Sequence, residues 1–105
     1  MKIDYKTAKK IENALGFELK YFQMQYLLGE TTLNSDYRYQ GNSTIFAVKK
    51  LICKEGEYDL NTSDVGLFID YRGGSFRMQK IMRPMIKELN QKLISAGFKT
   101  CAIGE

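Results

Sequence analysis

The sequence contains no histidine and no tryptophan, and only one proline and two cysteines. Without histidine, Ser-His and Cys-His nucleophilic catalysis are excluded. Cys53 and Cys101 are far apart and have no histidine to join them, so no zinc cluster and no metal are expected. They also make a poor disulfide framework. Both lie in apolar segments and read as buried free thiols of a reducing compartment. Any general base has to be a carboxylate, a tyrosine, a terminal amine or a bound water. No apolar run approaches the roughly 18 to 20 residues that cross a bilayer. The opening Met1-Lys2-Ile3-Asp4-Tyr5-Lys6 has no hydrophobic stretch behind it, so no signal peptide is expected. The expectation is a soluble cytoplasmic protein with no membrane partner.

What remains is an ordinary globular composition. A chain of 105 residues suits one domain with one core, spanning residues 1–105. Sixteen basic against twelve acidic residues give a net charge of +4. That surplus admits nucleic acid, CoA phosphates or an acidic protein partner, and it excludes a DNA mimic, which has to be strongly acidic. There is no internal repeat, low-complexity tract or interdomain linker.

Along the chain, residues 4 to 15 read as a helix. Asp4 is its N-cap, Ala8, Ile11 and Leu15 share a face, and Gly16 suits the C′ position. Phe17, Leu19 and Tyr21 then alternate with polar residues, and the alternation resumes on the other parity at Phe22, Met24, Tyr26 and Leu28. That slip predicts one long strand over 17–28 with a bulge near Tyr21 and Phe22. Residues 29–43 read as a loop with a short edge strand around Tyr37 to Tyr39. Ile45 to Cys53 is expected to be a second strand. Val65 to Tyr71, apolar on both faces, is expected to be a third and central one. Residues 75–96 read as a helix with Met78, Ile81, Met82, Met85, Leu89 and Leu93 as its apolar stripe and Gly97 as its end. Pro84 inside it means either a kink or a break into two helices. The methionines read as core packing or as a partner surface. Phe98 to Ile103 is expected to be a last strand, and strand-helix-strand implies a right-handed crossover between parallel strands. The expected fold is α/β (α+β), a single mixed and mostly antiparallel sheet with a βαβ unit in the order α-β-β-β-α-β.

The candidate for chemistry is the turn Asp70-Tyr71-Arg72-Gly73-Gly74-Ser75 at the start of that helix. Two glycines permit close backbone approach. The first helical N–H groups lack internal partners and carry the positive end of the helix dipole. Such a turn is an anion site with Arg72 and Arg77 beside it and Lys80 one turn on, or else a tight turn with Ser75 as a plain N-cap. Arg77, Lys80, Arg83 and Lys87 fall along one side of the helix. They form either a phosphate-binding track or a solvated face.

Residues 65–103 resemble the acyl-CoA-binding core of the GNAT-type N-acetyltransferases, especially small phage-encoded ones. The residues that carry the likeness are Val65-Gly66-Leu67-Phe68-Ile69-Asp70, then Tyr71-Arg72-Gly73-Gly74-Ser75, the helix, and Ala96-Gly97-Phe98. The resemblance implies a GNAT-like sheet, with acetyl-CoA as cofactor. It places the CoA pyrophosphate on the 73–77 amides, so that with the flanking cations the expected cofactor-binding residues are Arg72, Gly73, Gly74, Ser75, Phe76, Arg77 and Lys80. The chain departs from the family at Arg77, where a small residue is usual, and at Pro84. It also stops at Glu105, before the family's later elements, which implies a degenerate member if not an active one. For activity on an amine of a host protein or small molecule, Glu18, Glu30 and Asp70 are base candidates. Tyr21, Tyr26 and Tyr71 are proton-donor candidates.

Two non-catalytic readings stand beside this one. An α-β-β-β-α order with basic residues at the last helix resembles the double-stranded-RNA-binding domains, which grip phosphates. Alternatively, a phage or mobile-element accessory protein would inhibit a host protein through a surface such as Tyr37-Arg38-Tyr39-Gln40. In either case Arg77, Lys80, Arg83 and Lys87 are the expected contacts, and a homo-oligomer is open.

Overall fold

Asp4 begins the first helix. Its Oδ1 accepts the Thr7 N–H at 2.7 Å, which satisfies one of the donors that every helix start leaves open. Helix α1 then runs over Tyr5–Leu15 and buries Ala8, Ile11 and Leu15. Gly16 closes it at φ 81°, a left-handed conformation that a side chain disfavours. This helix stands where the sequence pattern puts it. The computed structural model describes residues 3–31, 42–69 and 76–103.

Beyond α1 the expected sheet gives way to helices. The order is α1, α2 (Tyr21–Leu27), α3 (Asn42–Cys53), β1 (Tyr58–Asp59), a 3-10 helix (Ser63–Phe68), α4 (Phe76–Ser95) and β2 (Ala102–Ile103). The mixed, mostly antiparallel sheet in the order α-β-β-β-α-β is therefore corrected to a mostly helical fold. Each of the three inner segments expected as strands contains a helix in place of a strand, over 21–27, 45–53 and 65–68 of the expected residues, and for a different reason. In α2 the Gln23 Oε1 accepts the Lys20 N–H at 2.9 Å, half of a capping box. Leu27 is buried there, while Phe17 and Tyr21, which alternation would have turned inward, are exposed. In α3 the buried positions are Ile45, Ala47, Val48, Leu51 and Ile52. Those spacings of three and four make a helical stripe, despite the β-branched residues. In the 3-10 helix, Val65 and Phe68 are buried three residues apart, the spacing that eclipses side chains in this tighter helix. Thr62 caps it by accepting the Asp64 N–H on Oγ1 at 3.2 Å. The edge strand expected around Tyr37 to Tyr39 lies outside the described residues.

The one sheet among the described residues is β1 with β2. They are parallel, with Tyr58 opposite Ala102 and Asp59 opposite Ile103. A parallel pair joined across the last helix was expected, but with residues 65–71 as its first strand. Tyr58–Asp59 takes that place. The C-terminal segment is pinned further by side chains. Asn90, almost wholly buried, donates from Nδ2 to the Ala102 carbonyl at 3.4 Å and accepts the Thr100 hydroxyl at 2.5 Å.

Helix α4 is continuous through Pro84. Pro84 lies on the exposed side of the helix, the side on which a missing backbone donor costs least. The helix ends in a Schellman motif. Gly97 N–H donates to Ile94 at 2.9 Å and Phe98 N–H to Leu93 at 3.0 Å. Met78, Met82 and Met85 pack on the core, whereas Ile81, expected in the same stripe, is exposed.

Glu12 ties α1 to the segment that leads into α2. Its Oε1 accepts Lys9 Nζ at 2.6 Å and its Oε2 accepts the Leu19 N–H at 2.7 Å. The Lys9 bond, and then the Leu19 amide, hold its carboxyl below the ordinary glutamate range. A depressed carboxyl contributes stability that is present above its unfolded pKa and lost as pH falls through its folded one. Glu12→Gln should therefore lower Tm at pH 7 and make thermal stability less dependent on pH across the acid range. Identical acid profiles for variant and parent would refute this assignment. Removing the buried amide that holds β2, by Asn90→Ala, takes a donor from the Ala102 carbonyl and leaves the Thr100 hydroxyl only its 3.4 Å bond to that carbonyl, and should cost about 1–3 kcal/mol by urea denaturation.

Candidate functional site

Four basic residues were expected along one side of the last helix, and α4 divides them into two pairs. Arg83 turns inward toward the segment after β1. Its Nε donates to the Leu60 carbonyl at 2.9 Å and its Nη2 to the Thr62 carbonyl at 3.3 Å. Lys87 Nζ donates to the Asn61 side-chain oxygen. These two cations hold the 60–62 turn against α4, Arg83 adding a charged donor to the Leu60 carbonyl and a second donor to the Thr62 carbonyl, which also accepts the Val65 N–H at 3.2 Å. Arg77 and Lys80, in contrast, are exposed.

Helical geometry places the exposed residues of the N-terminal half of α4 together. At about 100° per residue, Phe76, Lys80, Pro84, Arg77 and Ile81 cover an arc of about 140°. Lys80, Pro84 and Arg77 lie along its middle, and Phe76 and Ile81 along its two margins. Phe76 is 85% exposed and Ile81 58%. The opposite arc carries the buried residues Ile86, Leu89, Asn90 and Leu93. No acidic residue occurs between Phe76 and Lys87. Glu88, the first one, lies 3.8 Å from Lys92.

Of the residues expected to hold a cofactor, Phe76, Arg77 and Lys80 are thus on one solvent-facing surface. Arg72, Gly73, Gly74 and Ser75 lie outside the described residues, as do Asp70, Tyr71 and the Tyr37–Gln40 loop. The expected acid–base residues are not gathered. Glu18 lines a shallow recess of about 350 Å³ with Lys9, Glu12 and Phe17. Glu30 and Tyr21 are exposed at opposite ends of the α2 segment. Tyr26 lies beneath the Lys49 ammonium, 4.5 Å from its ring centroid. Among the described residues no cluster of three Cys, Asp or Glu side chains is placed to hold a metal, and no helix is long and apolar enough to cross a membrane.

The exposure of Phe76 and Ile81 had no signal in the apolar pattern, which put Ile81 on the core stripe. No family model, curated protein or solved structure matches the chain.

The division of the four cations is testable. Arg83→Ala leaves two carbonyls short of a charged donor and should destabilise by about 1–3 kcal/mol. Arg77→Ala and Lys80→Ala should each stay within about 0.5 kcal/mol of the parent. Equal effects in chemical denaturation would mean that the two pairs are not distinct.

Proposed function

We propose that the chain is a non-catalytic binding module that docks a partner protein on the outer face of α4. The observation that carries this is the pairing of two large exposed apolar side chains, Phe76 and Ile81, with two cations, Arg77 and Lys80, on one helix face without an acid among them. Aromatic and arginine side chains are favoured at interface hot spots. A helix laid in a groove is a common recognition mode. The partner that fits is an acidic strip flanked by apolar pockets. A phosphate backbone would use the cations but offer little to Ile81, so a protein suits this face better than nucleic acid. Like-charged Arg77 and Lys80 also disfavour pairing of the face with its own copy.

The acyl-CoA expectation now stands on the 72–75 turn alone. The GNAT-like sheet expected to carry the cofactor is replaced by helices and a two-residue parallel pair.

The two readings separate in one set of measurements. Affinity capture from the source cell, with wild type and Phe76→Ser/Ile81→Ser side by side, should yield a partner that the variant loses. Its retention should fall at least tenfold in Arg77→Glu/Lys80→Glu and weaken with salt. A melting temperature unchanged by acetyl-CoA is expected in parallel. Capture that is indifferent to both variants would overturn the proposal. A rise in Tm with CoA that disappears in Arg72→Ala would restore the acyl-CoA reading in its place.

A further inference from the structure

A second cationic surface lies elsewhere, at the C-terminal end of α3, and does not depend on the α4 face. Lys49, Lys50 and Lys54 surround a recess of about 190 Å³ whose other walls are Tyr26 and Cys53. Each ammonium sits over an aromatic ring. Lys49 is 4.5 Å from the Tyr26 centroid, Lys50 5.5 Å from Phe46 and Lys54 5.4 Å from Tyr58. Lys49 is also anchored, donating to the Tyr26 carbonyl at 2.7 Å.

No acid lines the recess. Glu55 and Glu57 follow at once in the sequence, yet both are exposed. The ion pairs among the described residues are Lys9 with Glu12 and Lys92 with Glu88, and neither involves these lysines. The usual structural reason for lysines at this place is to bond the last helical carbonyls. Here two of those carbonyls have other donors. Lys50 O accepts the Lys54 N–H at 3.0 Å and the Cys101 thiol at 3.5 Å, and Leu51 O accepts the Cys101 N–H at 2.9 Å. Three lysines therefore line one small recess that no carboxylate lines, beside helical carbonyls of Lys50 and Leu51 that already have donors.

We infer that this recess binds a phosphate group through Lys50 and Lys54, with Lys49 fixed as the third positive wall. Its volume equals about six waters' share of the liquid, enough for one phosphate with part of its hydration and too little for a nucleoside. Of the three rings Tyr26 lines the recess, and it is half-buried with the Lys49 ammonium over one face, which leaves little room for stacking a base. Recognition is of the phosphate alone, whether it belongs to a free polyphosphate or to a nucleic-acid backbone, and it is independent of base sequence.

The full-length chain is titrated with pyrophosphate and, separately, with a single-stranded oligothymidylate, and Tm and Cys53 alkylation are followed. Cys53 lines the recess and is half-buried. Cys101 is buried with its thiol pushed up by desolvation, so it serves as the slow internal reference. Binding should raise Tm and slow Cys53 labelling at least threefold. Lys50→Gln/Lys54→Gln should weaken the apparent affinity at least tenfold, while Arg77→Gln/Lys80→Gln leaves it unchanged. An effect of pyrophosphate alone assigns a free polyphosphate. An effect of the oligonucleotide, with or without pyrophosphate, assigns a backbone phosphate. No effect from either probe, or one that survives Lys50→Gln/Lys54→Gln, overturns the inference. Labelling kinetics keep the test decisive even where the double variant changes Tm on its own.

Discussion

The Cys101 peptide is the junction on which this fold depends. Its N–H donates to Leu51 at the end of α3, and its carbonyl accepts the Tyr58 N–H at the start of β1. One residue on, Ala102 faces Tyr58 in register and receives the Asn90 amide from α4. Three elements distant in sequence therefore hold the C-terminal segment through backbone groups, and buried backbone groups have to find partners. A two-residue strand pair is marginal by itself. It persists here because helix ends and a buried side chain complete its hydrogen bonding, and because Phe68 packs edge-on against Tyr58 at 6.1 Å between centroids.

That junction fixes what α4 can present. With Asn90 and Leu93 turned toward β2 and the core, the helix cannot rotate without breaking a buried polar contact. Arg83 and Lys87 add a second tether along one flank by holding the 60–62 turn. The face left over is the arc of Phe76, Lys80, Pro84, Arg77 and Ile81. Pro84 falls on this exposed side, where a missing backbone donor costs least. Exposure of this face is thus a consequence of how tightly the opposite face is held.

The sequence was legible where ends and stripes carry specific chemistry. Asp4 and Gly16 delimit α1, Gly97 closes α4, and both helices show apolar spacings of three and four. It misled where composition and period disagree. In α3 the residues Ile45, Val48 and Ile52 are β-branched and favour a strand by type, but their spacing, with Ala47 and Leu51, is that of a helix. The run Val65–Ile69 has no period at all, since a short unbroken apolar run suits a buried strand and a helical turn equally. In α2, seven residues are too few for alternation to be told from helical spacing. The site suffered from the same errors. Read as a strand, Lys49 and Lys50 point to opposite faces. Read as a helix, they join Phe46 and Cys53 on one stripe, and the recess becomes visible. The internal roles of Arg83 and Lys87 were out of reach, because their partners at Leu60, Asn61 and Thr62 belong to a turn that only the fold brings near.

Net charge was a poor guide to where this protein is cationic. Lys9 is absorbed by Glu12, Arg83 and Lys87 by the 60–62 turn, and Lys92 by Leu15 O and Glu88. Among the described residues the cations that stand without such bonds include Arg77 and Lys80 on one surface and Lys50 and Lys54 on another. The first pair is flanked by exposed Phe76 and Ile81. The second sits over half-buried rings around a small recess. Equal charge thus stands in different surroundings, with exposed apolar margins in one place and a small lysine-lined recess in the other. A surplus of +4 could have been spread as solubility. Lys6, Lys10, Lys20 and Lys99 are exposed as well, so the two places stand apart from the rest of the surplus by their surroundings, apolar margins in one and neighbouring aromatic rings in the other.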